Sequence, residues 1–309
     1  MQSTILQSGL QAFPCSLHPL QPRAGAGLKA EHVAEILETR PEVAFFEIHA
    51  ENYMGAGGMP HAQLRAIREH HALSVHGVGM SIGGEAEINR EHLARFKAVV
   101  DIYQPALVSE HLAWSTHDDV FFNDLLPLPY SDETLERVVR HVCMVQDAIG
   151  RQILIENPSS YVMFAESQWA EPDFMAEIAR RSGCALLFDV NNVFVSSVNS
   201  ATSPLDYIAA YPLELVQEIH LAGHAPDVDD HGNALLIDAH DRMVADDVWT
   251  LFASVLERTG ALPTLIEWDN EVPHWPVLHG ETCKANAFLA GCEKRAGGKV
   301  AMQREMVLS

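Results

Sequence analysis

Between Glu218 and His240 the chain sets an imidazole, a carboxylate and a second imidazole close together. His220 ends a short apolar pattern (Leu215, Val216, Ile219, Leu221), and Asp238-Ala239-His240 follows one polar loop later. A spacing of two puts Asp238 and His240 on one side of an extended segment. Carboxylate and imidazole presented together are the ligands of a borderline metal such as Fe, Mn or Zn. One such cluster decides little. What matters is whether other elements deliver matching groups to the same place.

The elements that would do so alternate. Strand patterns at 24–28, 43–49, 72–78, 106–112, 152–156, 184–190, 215–221 and 264–268 are separated by helical patterns at 29–38, 60–71, 89–103, 131–149, 172–182, 204–211, 245–259 and 281–292. Ser131 reads as an N-cap. Strands alternating with helices at this spacing predict parallel α/β architecture. Eight units predict a (β/α)8 TIM barrel in one domain over 23–295, flanked by a poorly ordered 1–22 and a flexible tail at 296–309. A doubly wound nucleotide fold would want GxGxxG after its first strand, and Gly25-Ala26-Gly27 is not that.

In a barrel of this kind chemistry sits at the C-terminal strand ends. The second strand ends with Glu47, His49, Glu51 and Asn52, and the third and fourth carry His76 and His111. The fifth ends at Glu156, the sixth at Asp189 with Asn192, the seventh at His220 and, after its loop, Asp238 and His240, and the eighth at Glu267 with Asp269. A strand-end histidine taken singly is more often a hydrogen-bonded core group. Seven such ends converging would repel and desolvate at high cost unless cations sit among them. His76, His111, Glu156, Asp189, Asn192, His220, Asp238, His240 and Glu267 are therefore the candidate ligands, too many for one ion. Two or three ions, bridged by Glu156 or Glu267, account for them. Asp238, His240 and Glu267 are the expected catalytic groups. Glu47, His49, Glu51, Asn52, His224 and Asp269 are expected to touch substrate or to orient ligand side chains. Asn192 could equally brace the turn after Asp189.

Bulk properties narrow the function. A formal charge of −22, from 42 acidic and 20 basic residues, is a poor surface for a phosphate backbone, so no nucleic-acid partner is expected. No apolar run approaches a membrane span of about 20 residues, and no signal peptide is visible. Five cysteines without CxxC suit thiols in a reducing, cytoplasmic setting. None is paired with an evident base, which argues against cysteine nucleophile chemistry.

The ligand order resembles the trinuclear-metal barrel of endonuclease IV and the xylose isomerase-like superfamily. Longer motifs are more specific: Phe46-Glu-Ile-His-Ala-Glu-Asn-Tyr53, Ser109-Glu-His-Leu-Ala-Trp114, Ile155-Glu-Asn-Pro158, Phe188-Asp-Val-Asn-Asn192, Glu218-Ile-His-Leu-Ala-Gly-His224 and Ile266-Glu-Trp-Asp269. They resemble the multinuclear non-haem iron-dependent oxidative enzymes of the methanobactin and bufferin maturation type. That resemblance implies two or three irons of mixed Fe(II)/Fe(III) valence, O2 as co-substrate, and a cysteine-containing, ribosomally made precursor peptide as substrate. It also implies a small partner protein that helps recognise the peptide. Where the endonuclease pattern has histidine, Asn192 stands, so the third metal is expected to be the weakest held.

Three other functions share these features. A metal-dependent phosphodiesterase is disfavoured by the net charge. A sugar isomerase wants a lysine at the site, and of Lys29, Lys97, Lys284, Lys294 and Lys299 none ends a core strand. A metal-binding scaffold would bind iron and peptide without oxygen uptake.

Overall fold

The computed structural model describes residues 20–117 and 120–307, with side chains to Cys292. The expected N-terminal segment lies almost wholly outside the described residues, and the tail is described as helical backbone only.

Eight parallel strands close into a barrel: β1 (Ala24–Gly27), β2 (Phe45–His49), β3 (Ala72–Gly77), β4 (Leu107–His111), β7 (Leu154–Glu156), β8 (Ala185–Asp189), β9 (Val216–Leu221) and β12 (Thr264–Ile266). Each pairs with its sequence neighbours among the eight, and β12 closes on β1 through Gly25 and Leu265. The helices are α1 (Val33–Thr39), α2 (Met59–Arg68), α3 (Arg90–Tyr103), α4 (Asp132–Ile149), α5 (Glu171–Ser182), α6 (Val190–Asn199), α7 (Pro204–Ala210), α8 (Asp246–Thr259) and α9 (Trp275–Val307). Ser131 caps α4, its Oγ accepting from the Thr134 N–H at 3.2 Å.

Alternation along each strand explains both core and site. Leu73 and Val75 on β3, Leu186 and Phe188 on β8, and Ile219 and Leu221 on β9 join the main core beneath the helices. The intervening residues form a separate stack. Leu154, Ala185 and Leu187 make a small apolar cluster, with Leu107 packed on it. Two or four residues further along the same strands come His111, Glu156 and Asp189. A strand read in steps of two thus runs from apolar packing to ionisable side chains at the C-terminal mouth.

Two hairpins and one helix were not foreshadowed by the periodicity. β5 (Trp114–His117) and β6 (Val120–Leu126) follow β4, and β10 (Ala225–Val228) and β11 (Ala234–Ile237) follow β9. Helix α6 begins directly at the end of β8, with Asp189 as its N-cap. α9 starts at Trp275, ahead of the expected Glu281.

Candidate metal centre

His76 Nε2 lies 3.2 Å from His111 Nε2 and 3.2 Å from Glu156 Oε2, and His111 Nε2 lies 3.3 Å from the same oxygen. Three ligand atoms thus face one point from β3, β4 and β7. Bonds of about 2.0–2.1 Å to a central ion put tetrahedral ligand atoms roughly 3.3 Å apart. The other ring nitrogens are already engaged. His111 Nδ1 donates to the Gly77 carbonyl at 3.0 Å, and His76 Nδ1 is 2.6 Å from Ser109 Oγ. Those contacts leave both Nε2 atoms aimed inward.

A second group adjoins the first through Glu156. Glu156, Asp189, His220 and Glu267 each bring one ligand atom within 4.8 Å of the others, and all are buried. His220 Nδ1 is 3.3 Å from Glu267 Oε2 and 3.8 Å from Glu156 Oε1. Glu156 Oε2, Asp189 Oδ2, Asn192 Oδ1 and both ring nitrogens of His220 are buried without a hydrogen-bond partner. Unpaired buried polar atoms are rare because each carries a desolvation penalty. Their concentration at one place fits residues built around cations, and the imidazole–carboxylate donor set suits iron, manganese or zinc.

Asp238 and His240 come together by a different route from the one their spacing implied. The segment is a turn: Ala239 N–H donates to Ile237 O, and His240 has φ 45°. The turn folds the ring back, so that His240 Nε2 is 2.8 Å from Asp238 Oδ1. His240 Nδ1 is 3.2 Å from Asp269 Oδ2 and 3.6 Å from Glu267 Oε2. Asn192, on the first turn of α6, donates from Nδ2 to the Asn157 carbonyl at 3.0 Å and keeps its Oδ1 unpaired. It braces the turn and still offers an oxygen.

The electrostatics follow from packing charges without counter-ions. Burial would lower the His76 pKa, but Glu156 and Glu47 outweigh it and lift the ring to about 10. Burial, reinforced by the neighbouring His76 charge, pushes His111 down to about 4. Burial and the charges of Glu156, Asp238 and Glu267 push Asp189 well up. His220 and His240 are raised against burial by Glu267 and, respectively, Glu47 and Asp238. In the metal-free chain, protons on histidines stand in for cations.

The expected substrate-side residues divide. His49, Glu267 and Asp269 gather within ligand distance of one another, and Asn52 lines the same small cavity. Glu51 lies off β2 in a short 3-10 turn. It accepts from the Val78 and Gly79 N–H groups at 3.2 and 2.9 Å and contacts His92 Nε2 at 3.1 Å, which ties down the loop after β3. His224 braces the centre from outside: its Nδ1 meets Asn191 Oδ1 at 2.8 Å, and Asn191 Nδ2 donates to Asp238 Oδ1 at 2.7 Å. Glu47 is buried beside His220, its Oε1 3.5 Å from Nε2.

Several positioning residues escaped the sequence reading. Asn157 exchanges two hydrogen bonds with the Asp189 backbone, 2.9 and 3.0 Å, and so locks β7 to β8 at the site. Glu218, two residues before His220 and on its face of β9, approaches Glu47. Burial and the Glu47 charge raise its pKa to about 8. The expectation that no lysine serves the site is corrected: Lys29 lies just beyond β1, and its side chain folds back onto Asp269. A strand-end rule passes over it because β1 stops at Gly27.

The chain is similar to several known proteins. Residues 23–290 match the family described as RiPP precursor modification enzyme MbnB/TglH/ChrH. A UPF0276 protein of Rhizobium meliloti is 52% identical over 284 residues, covering 92% of this chain and 91% of the relative. A UPF0276 protein of a Caulobacter species is 47% identical over 270 residues, 87% and 97% of the two chains. Among solved structures, a xylose isomerase-like TIM barrel protein from Mycobacterium smegmatis superposes with TM-score 0.58 at 12% identity, covering 87% of this chain and 97% of that one. Endonuclease IV from Thermus thermophilus does so with 0.56 at 17%, covering 87% and 100%. At such identities these two likenesses speak for the fold alone.

Proposed function

This chain belongs to the RiPP precursor modification enzyme family MbnB/TglH/ChrH, and from that premise we propose that it oxidatively modifies cysteines of a precursor peptide at a multinuclear iron centre, with O2 as co-substrate. The observation that carries the reading is the pair of adjacent ligand sets sharing Glu156: His76/His111/Glu156 and Glu156/Asp189/His220/Glu267. Asp238 and His240, paired at 2.8 Å, and the open oxygen of Asn192 are the remaining candidate ligands. When bound, the irons would supply thiolate ligation and one-electron chemistry with O2.

The chain's own residues hold and aim that chemistry. The Gly77 carbonyl and Ser109 hydroxyl fix the rings of His111 and His76, and Asp269 fixes His240. A crevice of about 300 Å³, bordered by Val78, Phe121, Leu125, Ser159 and Tyr161, opens onto Asp238 and gives a side chain a route inward. Beside it, β6 exposes Val120, Phe121, Phe122 and Leu125. An exposed apolar strand of this kind is a surface that a peptide or a small partner protein would cover. Among the described residues no helix is long and apolar enough to cross a membrane.

The test is protein purified without oxygen, assayed for metal and by Mössbauer and EPR spectroscopy, then mixed with a cysteine-containing precursor peptide and O2. Two or three irons per chain and a changed peptide mass are expected. Stoichiometric zinc without iron, or iron with no peptide conversion, would move the reading to hydrolysis or to a scaffold.

A further inference from the structure

The open end of β1 holds a cation of the protein's own. Seven of the barrel strands bring ionisable groups to the mouth, but β1 is Ala-Gly-Ala-Gly and brings none. The space left there is a small cavity of about 110 Å³, lined by Lys29, Glu47, His49, Asn52, Glu267 and Asp269. His49, Glu267 and Asp269 each offer a ligand atom within 4.8 Å of the others, the same criterion the two main sets meet. Glu47 is 2% exposed, and neither of its carboxylate oxygens has a hydrogen-bond partner. Three carboxylates and an imidazole around a polar cavity are a further cation position.

Lys29 reaches that position. A Cβ added at Gly27 would meet Lys29 Cε at 3.5 Å and Nζ at 3.7 Å, so the side chain lies back across the end of β1. Its ammonium contacts Asp269 Oδ1, while Asp269 Oδ2 faces His240 Nδ1 at 3.2 Å. An ammonium is a compact point charge, and it competes with a divalent ion for the same carboxylate oxygen. Held by Lys29, Asp269 serves as an acceptor for the His240 ring; released from it, Asp269 becomes a ligand.

We propose that Lys29 occupies a fourth cation position formed by His49, Glu267 and Asp269, and thereby sets how many metal ions the centre takes. This rests on the metal-centre reading above. The experiment loads wild type, Lys29→Met and Lys29→Arg anaerobically with excess Fe(II) or Mn(II), removes free ions by gel filtration, and counts bound metal per chain, with circular dichroism as the check on folding. Lys29→Met should hold one ion more than wild type, and Lys29→Arg the wild-type number. Adding Asp269→Asn to Lys29→Met should remove the extra ion. In a crystal of Mn(II)-loaded Lys29→Met, a new anomalous peak should lie among His49, Glu267 and Asp269. If the methionine variant does not fold, Lys29→Gln replaces it. A folded variant with the wild-type count or fewer overturns the role of Lys29 alone. Wild type that takes up no ions overturns the metal-centre reading as well.

Discussion

At the scale of single residues, the centre depends on which ring nitrogen is free. His111 Nδ1–H is committed to a carbonyl, so its Nε2 must accept or ligate, and its pKa near 4 keeps that lone pair available through the neutral range. His76 is the opposite case: the surrounding carboxylates hold its proton to about 10 despite burial. An ion entering this set must displace the His76 proton. Metal uptake between pH 6 and 8 should therefore release about one proton for this position, and affinity should rise with pH. Calorimetry in buffers of different ionisation enthalpy measures it; uptake with no proton release would mean the ion bypasses His76. His76→Ala, His111→Ala and His220→Ala should each lose iron and peptide conversion together. Losses on the order of 10–100-fold are typical even for residues that only orient ligands, so removing a ligand should cost at least that.

At the scale of elements, close fits decide what each strand can carry. A Cβ at Gly77 would sit 1.9 Å from Glu110 Oε2 and 3.0 Å from Phe96, because β3 and β4 enclose the buried Glu110 carboxyl beneath α3. Gly77→Ala should cost roughly 1–3 kcal/mol, the usual range for overpacking, and disturb the carbonyl that fixes His111. Thermal melts and iron content would both register it, and adding Glu110→Ala should restore part of the loss in a double-mutant cycle. On β6, Phe121→Asp should weaken peptide conversion through KM while leaving the iron content intact; an unchanged KM would remove that strand from recognition. These elements also show what a sequence discloses. The eight strands were legible because Leu73/Val75 and Ile219/Leu221 alternate with Ser74/His76 and Glu218/His220, a period only a strand supports. The strand-end placing of the candidate ligands was legible for the same reason. The β6 and β11 hairpins were not, since the apolar residues of β6 are exposed, those of β11 are half-buried, and neither set marks a core. Nor was the turn that folds His240 onto Asp238: it depends on φ 45° at a histidine and on contacts with Gly223 and Asp269 from distant parts of the chain. Lys29 was missed because it reaches Asp269 by a side chain lying back over a glycine, which spacing does not encode.

At the scale of the whole molecule, the barrel's stability is tied to what occupies its mouth. The raised pKa of His76 adds stability to the metal-free fold that is complete below about 6.5, the ordinary histidine value, and is lost as pH rises through about 10. His220 and His240 are raised in the same sense. Glu218, held up to about 8 by burial and by Glu47, acts in the same direction, because the folded chain must give up a proton it would rather keep. His111 works the other way, but only between about 4 and the ordinary histidine value, so it no longer counts above neutrality. From pH 6.5 upward the metal-free protein therefore weakens, while ions bind more tightly because fewer protons oppose them. Ligation adds about 2.7 kcal/mol per ion at a free concentration of 100 Kd and about 4.1 at 1,000 Kd. At roughly 2 °C or more per kcal/mol for a domain of this size, that is on the order of 5–10 °C per ion. Melting curves of loaded and chelator-treated protein should separate by that much near neutrality and by more at pH 8.5. A gap that narrows as pH rises would show that protons, rather than metal ions, are the intended counter-charge of the strand-end cluster.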